Sequence, residues 1–240
     1  MQPTTDTTKG QIMANASSTL SDLNGSNSFV INGVDEFDYL GEAVSDAGDI
    51  NGDGIADLII GAPRADTDAI NSGVSYVVFG STTVGLSGSL NVSDLDGNNG
   101  FVITNGEASD FFGLGCSVSS VGDINNDGID DLIIGASGAD PNGSSSGASY
   151  VLFGDTTIGL GGSFDLSNLN GSNGFVINGV GAFDNSGSSV SSAGDINGDD
   201  IDDLIIGAPR VDANGDRYCW RKLRAVWWHH FRSRRQLQTF

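Results

Sequence analysis

Basic residues are nearly absent from most of this chain. Only Lys9, Arg64 and Arg210 precede residue 217, against all 31 acidic residues, so the first 216 residues carry a net charge of −28. A body so acidic repels a phosphate backbone, which excludes nucleic-acid binding, and its clustered carboxylates attract cations instead. Cysteine is limited to Cys116 and Cys219, too few for a disulfide framework. Cys116 stands where the equivalent slots hold Glu42 and Ser188, as a tolerated free thiol would. No apolar run is long enough to span a membrane, and Met1 to Leu20 lacks the apolar centre of a secretory signal. Export would then use another route, or the chain begins inside a longer protein. No helical period is found before residue 216. Proline is rare, with 4 residues, whereas glycine is abundant, with 36. Glycine does not recur at every third position, which excludes collagen. It reads instead as turns between short strands.

What the chain does have is repetition. The stretch Asp49 to Asp57, followed by Leu58-Ile59-Ile60-Gly61-Ala62-Pro63, returns at Asp123 to Asp131, followed by Leu132-Ile133-Ile134-Gly135-Ala136-Ser137. It returns again at Asp195 to Asp203, followed by Leu204-Ile205-Ile206-Gly207-Ala208-Pro209. A second motif, Phe29-Val30-Ile31, recurs as Phe101-Val102-Ile103 and Phe175-Val176-Ile177, with the Phe residues 72 and 74 apart. The first Asp residues of the acidic motif are 74 and 72 apart. A fixed period of this length means one supersecondary unit per repeat. The chain accordingly divides into a polar linker over 1–20, a first unit over 21–94, a second over 95–168, a partial third over 169–216 and a dissimilar tail over 217–240.

Each unit holds four strand candidates. In the first unit these are Phe29–Asn32, Ala43–Ala47, Asp57–Gly61 and Val74–Phe79, all short, rich in β-branched or aromatic residues and bounded by Gly, Asn, Asp or Ser. The Leu-Ile-Ile run shows no polar alternation, so it is expected to be buried on both faces. Four strands per repeat with glycine at the corners point to an all-β fold, a β-propeller-type array of four-stranded blades. Three repeats fall short of the roughly four blades that the smallest closed propellers need. The array is expected to be an incomplete propeller, a piece of a larger one or a chain that associates to close.

The acidic motif is a candidate calcium loop. Side-chain oxygens fall at positions 1, 3, 5 and 9, and an apolar residue at position 7 has only its carbonyl to offer. The candidate ligands are Asp49, Asn51, Asp53, Ile55 and Asp57 in the first loop. They are Asp123, Asn125, Asp127, Ile129 and Asp131 in the second, and Asp195, Asn197, Asp199, Ile201 and Asp203 in the third. Calcium takes about six to eight oxygens at about 2.3–2.6 Å, and an all-oxygen set of this kind suits it. Without a cation the three carboxylates of a loop crowd together. At an effective dielectric near 20, a like-charged pair about 4 Å apart costs roughly 4 kcal/mol. Calcium, up to three ions, should therefore tighten each blade.

An ordinary Asp/Asn/Gly turn accounts for one copy of such a loop, but not for three with the same spacing. An EF-hand needs a bidentate Glu at position 12 and a helix on each side; that position holds Ile60, Ile134 or Ile206, inside a strand-like run. Gly54 follows the third ligand, where the backbone is expected to turn through positive φ. In the third loop Asp200 replaces that glycine, so the third site is expected to be the weakest or strained.

These motifs resemble FG-GAP repeats, the blades of the integrin α-subunit N-terminal propeller and of many bacterial surface proteins. The naming tripeptide stands as Gly61-Ala62-Pro63 and Gly207-Ala208-Pro209, with Gly135-Ala136-Ser137 degenerate, while the Phe-Gly slots read Leu40-Gly41, Leu114-Gly115 and Ser186-Gly187. The resemblance covers about residues 21–216 and implies a calcium-stabilised module with a structural, adhesion or ligand-binding role in an extracellular or cell-surface protein. The implied partners are calcium and either a protein or glycan ligand on the propeller face or further blades. The alternative is the non-catalytic propeller domain of a larger secreted enzyme of phospholipase or glycan-degrading type. The residues themselves offer no catalytic constellation. Both His residues, His229 and His230, lie in the tail, and no nucleophile has a base with an orienting partner. Of the paired acids Asp130-Asp131 and Asp202-Asp203, one of each pair is expected to ligate and the other to face solvent.

The tail holds seven of the ten basic residues and all three Trp. A basic aromatic helix for a membrane or nucleic acid is one reading. Back-translation favours another. With permitted codons, a shift of one base from Arg217 converts the tail into Asp-Ile-Ala-Gly-Ala-Ser-Tyr-Val-Leu-Phe-Gly, which repeats the closing strand Gly147 to Gly154 of the second unit. The tail is therefore expected to be a frameshift product, leaving the third blade without its native outer strand.

Overall fold

The computed structural model describes residues 28–66, 70–105 and 113–211, together with the backbone of two short strands, Val226–Trp227 and Gln238–Thr239. The linker over 1–20 and the tail over 217–240, apart from those two strands, lie outside the described residues. The fold is all-β, an incomplete propeller-type array of blade-like antiparallel sheets.

Fifteen strands follow one another among the described residues. The first six are β1 (Val30–Asn32), β2 (Ala43–Gly48), β3 (Asp57–Ala62), β4 (Val74–Val78), β5 (Ser89–Asn91) and β6 (Gly100–Thr104). The second repeat adds β7 (Ser117–Gly122), β8 (Asp131–Ala136), β9 (Ala148–Leu152), β10 (Ser163–Asp165) and β11 (Gly174–Asn178). Then come β12 (Ser189–Gly194), β13 (Asp203–Gly207), β14 (Val226–Trp227) and β15 (Gln238–Thr239). The four strand candidates of the first repeat are all present, with ends differing by one residue at most. The additional strands β5 and β10 are three residues long, with no fully buried residue, too short to show a periodic pattern.

The sheets are out of phase with the sequence repeat. Blade 1 consists of β2, β3, β4 and β6 in antiparallel order. Blade 2 consists of β7, β8, β9 and β11. The outer strand of each blade, carrying the Phe-Val-Ile motif, thus comes from the start of the following sequence unit. A unit drawn over 21–94 assigns β1 to blade 1, whereas among the described residues β1 pairs only with β5, in parallel. In the same way β10 lies parallel on the outside of β6. Blade 3 contributes β12 and β13 among the described residues. The chain leaves the closing strand, runs through β5 or β10, and returns antiparallel to that strand as the next Phe motif. Phe79 N–H donates to Asn99 O and Phe153 N–H to Asn173 O, at 3.0 and 3.1 Å. Phe79 then packs on Phe101, and Phe153 on Phe175, with ring centroids 5.8 and 5.9 Å apart.

The blades stack face to face, and the core lies between them. One cluster joins Ala47, Ile59, Val77, Phe101 and Ile103 of blade 1 to Val118, Leu132, Ile134, Tyr150 and Leu152 of blade 2. A second joins Val121, Ile133, Val151 and Ile177 of blade 2 to Leu204 and Ile206 of blade 3. This is why the Leu-Ile-Ile run has no polar alternation: a central strand of a stacked blade has a neighbour on both faces. Leu132, Ile133 and Ile134 are fully buried, whereas Leu58, in the first blade, is 39% exposed. The blades also touch through backbone. At Gly61 and Gly135 any Cβ would collide with the carbonyl oxygens of Gly115 and Gly187 in the next blade.

Candidate metal centre

Each acidic loop links the first and second strands of its blade, β2 to β3, β7 to β8 and β12 to β13. A bulge in the first strand, where the register slips between Asp46 and Gly48, Ser120 and Gly122, or Ser192 and Gly194, re-aims the chain just before position 1.

Within the loops the side-chain oxygens fold the backbone around themselves. The position 1 carboxylate accepts from the N–H groups of positions 5 and 6. For Asp49 these are Asp53 and Gly54 at 2.9 and 2.8 Å, and for Asp123 they are Asp127 and Gly128 at 3.0 and 2.7 Å. For Asp195 they are Asp199 and Asp200 at 3.1 and 2.9 Å. The position 5 carboxylate accepts from the N–H of position 7 at 2.8, 3.0 and 3.1 Å in the three loops. In the first loop Asn51 Oδ1 also accepts from Asp53 N–H at 2.9 Å. This winding needs two left-handed residues. Position 6 has φ of 87° at Gly54, 93° at Gly128 and 65° at Asp200. Position 4 has 73° at Gly52, 62° at Asn126 and 78° at Gly198. Sequence reasoning anticipated the first and missed the second, although Gly, Asn and Gly are the residues that tolerate this region.

Position 9 is the buried anchor. Asp57, Asp131 and Asp203 are each 1% exposed or less. Asp57 Oδ2 accepts from Ile50 N–H at 3.2 Å and its Oδ1 from Gly80 N–H at 2.7 Å. Asp131 accepts from Ile124 N–H at 3.0 Å and Gly154 N–H at 2.9 Å. The anchor thus ties the loop to the end of the closing strand. Burial raises the Asp57 carboxyl to a pKa of about 6 and Asp131 to about 7, against the lowering effect of these hydrogen bonds. The neighbouring position 5 and position 1 carboxylates add to the rise. In the third loop Asp203 accepts from Ile196 N–H at 3.0 Å, and the Asn197 amide nitrogen donates to both its carboxylate oxygens at 2.9 and 3.0 Å. No glycine follows Gly215 in the sequence to match Gly80 and Gly154.

Do these residues fit calcium? Among the described residues no three carboxylate, imidazole or thiol groups converge as a preformed cation site. The loop carboxylates are turned toward backbone N–H groups, but each oxygen carries a second lone pair. The second loop has a further opening: Asn125 Oδ1, at position 3, is buried and has no hydrogen-bond partner. An orphaned buried acceptor at a ligand position needs a donor or a cation. The first two loops fit the ion in donor type and spacing. The third fits less well, because Asn197 presents its amide nitrogen to Asp203.

Asp130 is not simply turned to solvent, as its pairing with Asp131 suggested. It is half-buried, and its Oδ2 accepts the main-chain N–H of Asp49 in the neighbouring blade at 2.8 Å. Asp49 O in turn accepts from Asp130 N–H at 3.3 Å. Asp202 occupies the same place against Gly122 of blade 2, where a Cβ would collide with its carboxylate. Asp202 is half-buried as well. The Asp130 carboxylate at position 8 therefore clamps its loop to the loop before it, a role that no spacing within a single repeat reveals. Elsewhere, burial raises the Cys116 thiol above its ordinary pKa, and the thiol donates to Ser137 Oγ at 3.4 Å.

The FG-GAP repeat family matches residues 43–78, 117–152 and 186–218. The first two matches run from the first residue of β2 or β7 to the last residue of β4 or β9. The chain is an FG-GAP repeat protein. It is 34% identical over 171 residues to integrin alpha-4 of Xenopus laevis, spanning 71% of this chain and 14% of that protein. It is 33% identical over 178 residues to the phosphatidylinositol-glycan-specific phospholipase D of Bos taurus, and equally to that of Homo sapiens, spanning 73% of this chain and 19% of each. The chain thus spans less than a fifth of the length of these relatives. For an FG-GAP repeat protein the tripeptide has a physical sense here: its Gly is the point where one blade's backbone meets the next. No helix of the described residues is long and apolar enough to cross a membrane.

Proposed function

We propose that this chain is a calcium-binding FG-GAP module, non-catalytic in itself, with a structural, adhesion or ligand-binding role in an extracellular or cell-surface protein. The observation that carries the reading is the second loop, which places Asp123, Asn125, Asp127 and Asp131 at the expected spacing and leaves the Asn125 oxygen buried and unpartnered. The first loop repeats the same hydrogen-bond plan with Asp49, Asn51, Asp53 and Asp57. Ile55 and Ile129 would add a carbonyl each. Bound calcium would neutralise carboxylates that otherwise repel one another across a short loop, and so lock the turn that joins two core strands. Extracellular calcium, near millimolar, suits modules whose affinities are about 0.1–1 mM. The rigid blades would then present a face to a protein or glycan ligand.

Titration of the full chain with calcium, followed by melting, tests this. Saturable binding at up to three sites and a raised melting temperature are expected, with Asp53→Ala or Asp127→Ala removing one site each. Absence of binding at millimolar calcium would sink the reading. A second reading, a propeller domain carried by a secreted enzyme, is favoured by the similarity to phosphatidylinositol-glycan-specific phospholipase D. A catalytic domain encoded beside these repeats in the intact gene would decide for it.

A further inference from the structure

The two internal blade junctions are built to one plan, and both halves of that plan stand open at the ends of the array. At the first junction Gly61 of blade 1 meets Gly115 of blade 2, and at the second Gly135 meets Gly187. The corresponding residues at the ends are Gly207 of blade 3 and Gly41 of blade 1. Among the described residues Gly41 has nothing against it, and Gly207 meets only Ser189 of its own blade. Likewise Gly48 lies against Asp130 and Gly122 against Asp202, whereas Gly194 has no described residue near it.

The apolar side chains show the same division. Ile50 and Ile124 are 0% and 1% exposed, while Ile196, their counterpart in blade 3, is 48% exposed. On the opposite face Val118 is 8% exposed and Leu132 fully buried, while their blade 1 counterparts Val44 and Leu58 are 67% and 39% exposed. The outer half of that blade 1 face is already covered, since Ile31 and Leu40 pack with Ala62, Val74 and Tyr76. Ile31 belongs to β1. By its motif and its parallel partner β5, β1 matches β6 and β11, the outer strands of blades 1 and 2. It is an outer strand whose own blade is not among the described residues. Blade 3 is the converse, with β12 and β13 but no outer strand described.

We propose that two copies of this chain associate head to tail, the open face of blade 3 in each copy seating on the open face of blade 1 in the other. The new junction continues the two already present inside the chain, and Gly207 would meet Gly41 as Gly61 meets Gly115. Three plus three blades close a ring within the range of roughly four to eight blades that propellers use. A head-to-tail contact that closes on itself needs no further copies, which limits the assembly to a dimer. The second junction forms within the pair and adds to the first without a further encounter. One element of the plan is missing at this junction. Position 8 of blade 1 is Ala56, where blades 2 and 3 have Asp130 and Asp202. The intermolecular junction therefore lacks the carboxylate clamp, and each copy carries a net charge of −21, so added salt should strengthen association.

Light scattering and sedimentation of the full chain over a concentration series read the assembly directly. A concentration-dependent dimer with nothing larger is expected. Val44→Asp places a charge in the junction but on a side chain already exposed in the single copy. It should raise the dimer dissociation constant about tenfold or more while leaving the monomer's melting unchanged. Ala56→Asp should restore the clamp and lower that constant. A monomer at every concentration would overturn the proposal and leave the open faces to further blades of a longer chain. A ladder of larger oligomers, or a dimer indifferent to Val44→Asp, would overturn it too.

Discussion

Position 6 of the third loop shows how much a single residue carries. Gly54 and Gly128 take the left-handed turn without cost, but Asp200 must hold φ of 65° with a side chain attached. An L-residue in this region loses about 1–2 kcal/mol, somewhat less for Asp, whose short polar group bonds locally. Asp200→Gly should therefore stabilise the chain by about 0.5–1 kcal/mol, read as a higher midpoint in urea unfolding. The same substitution in a calcium titration should tighten the third site, because the loop no longer resists the winding that its ligands require. That Asp200 lies here was legible from the alignment of the three repeats. That Gly52, Asn126 and Gly198 share the same backbone requirement was not, since each is also an ordinary turn residue.

At the scale of the element, the loop is less a separate site than a joint between strands and between blades. Its position 9 carboxylate binds the end of the closing strand through Gly80 or Gly154. The position 8 carboxylate of blade 2 reaches Asp49, the first residue of the blade 1 loop. Asp130→Ala should cost about 1–2 kcal/mol, the worth of a hydrogen bond to a charged group that is partly exposed. Its signature is where the effect appears. With Asp127→Ala and Asp199→Ala silencing the second and third loops, the Asp130→Ala chain should bind calcium more weakly at the first loop, measured by calorimetry. An unchanged first site would show that the clamp holds blades together without positioning Asp49.

Across the whole molecule the excess of carboxylates sets how stability responds to pH. Asp57 and Asp131, raised to about 6 and 7 by burial, hold their protons in the folded chain well above the value of about 3.9 in the unfolded one. Below pH of about 4 both states are protonated, and these groups make no difference. Between about 4 and 7 the folded chain binds more protons than the unfolded chain, so stability falls as pH rises. In chelator the melting temperature should therefore decline from about pH 5 to pH 8, as scanning calorimetry would record. With calcium the trend should flatten or reverse, because the ion takes the place of the protons. Asp131→Asn, which cannot ionise, should remove the second loop's share of the decline.

The sequence alone determined the repeat, its period, the strands and the all-β array. These follow from local rules: β-branched runs, glycine and asparagine turns, and oxygen donors at fixed offsets. It placed Asp57, Asp131 and Asp203 at the ninth position of the loops but not in the core. It put Phe101 and Phe175 at the head of their units, whereas each closes the blade of the unit before. Tertiary structure decided these points because strand pairing at the end of a long connection depends on which edge is free, and that is a property of the assembled sheet. It decided Asp130 as well. A carboxylate that faces solvent in an isolated blade meets the Asp49 N–H only when a second blade is stacked upon it.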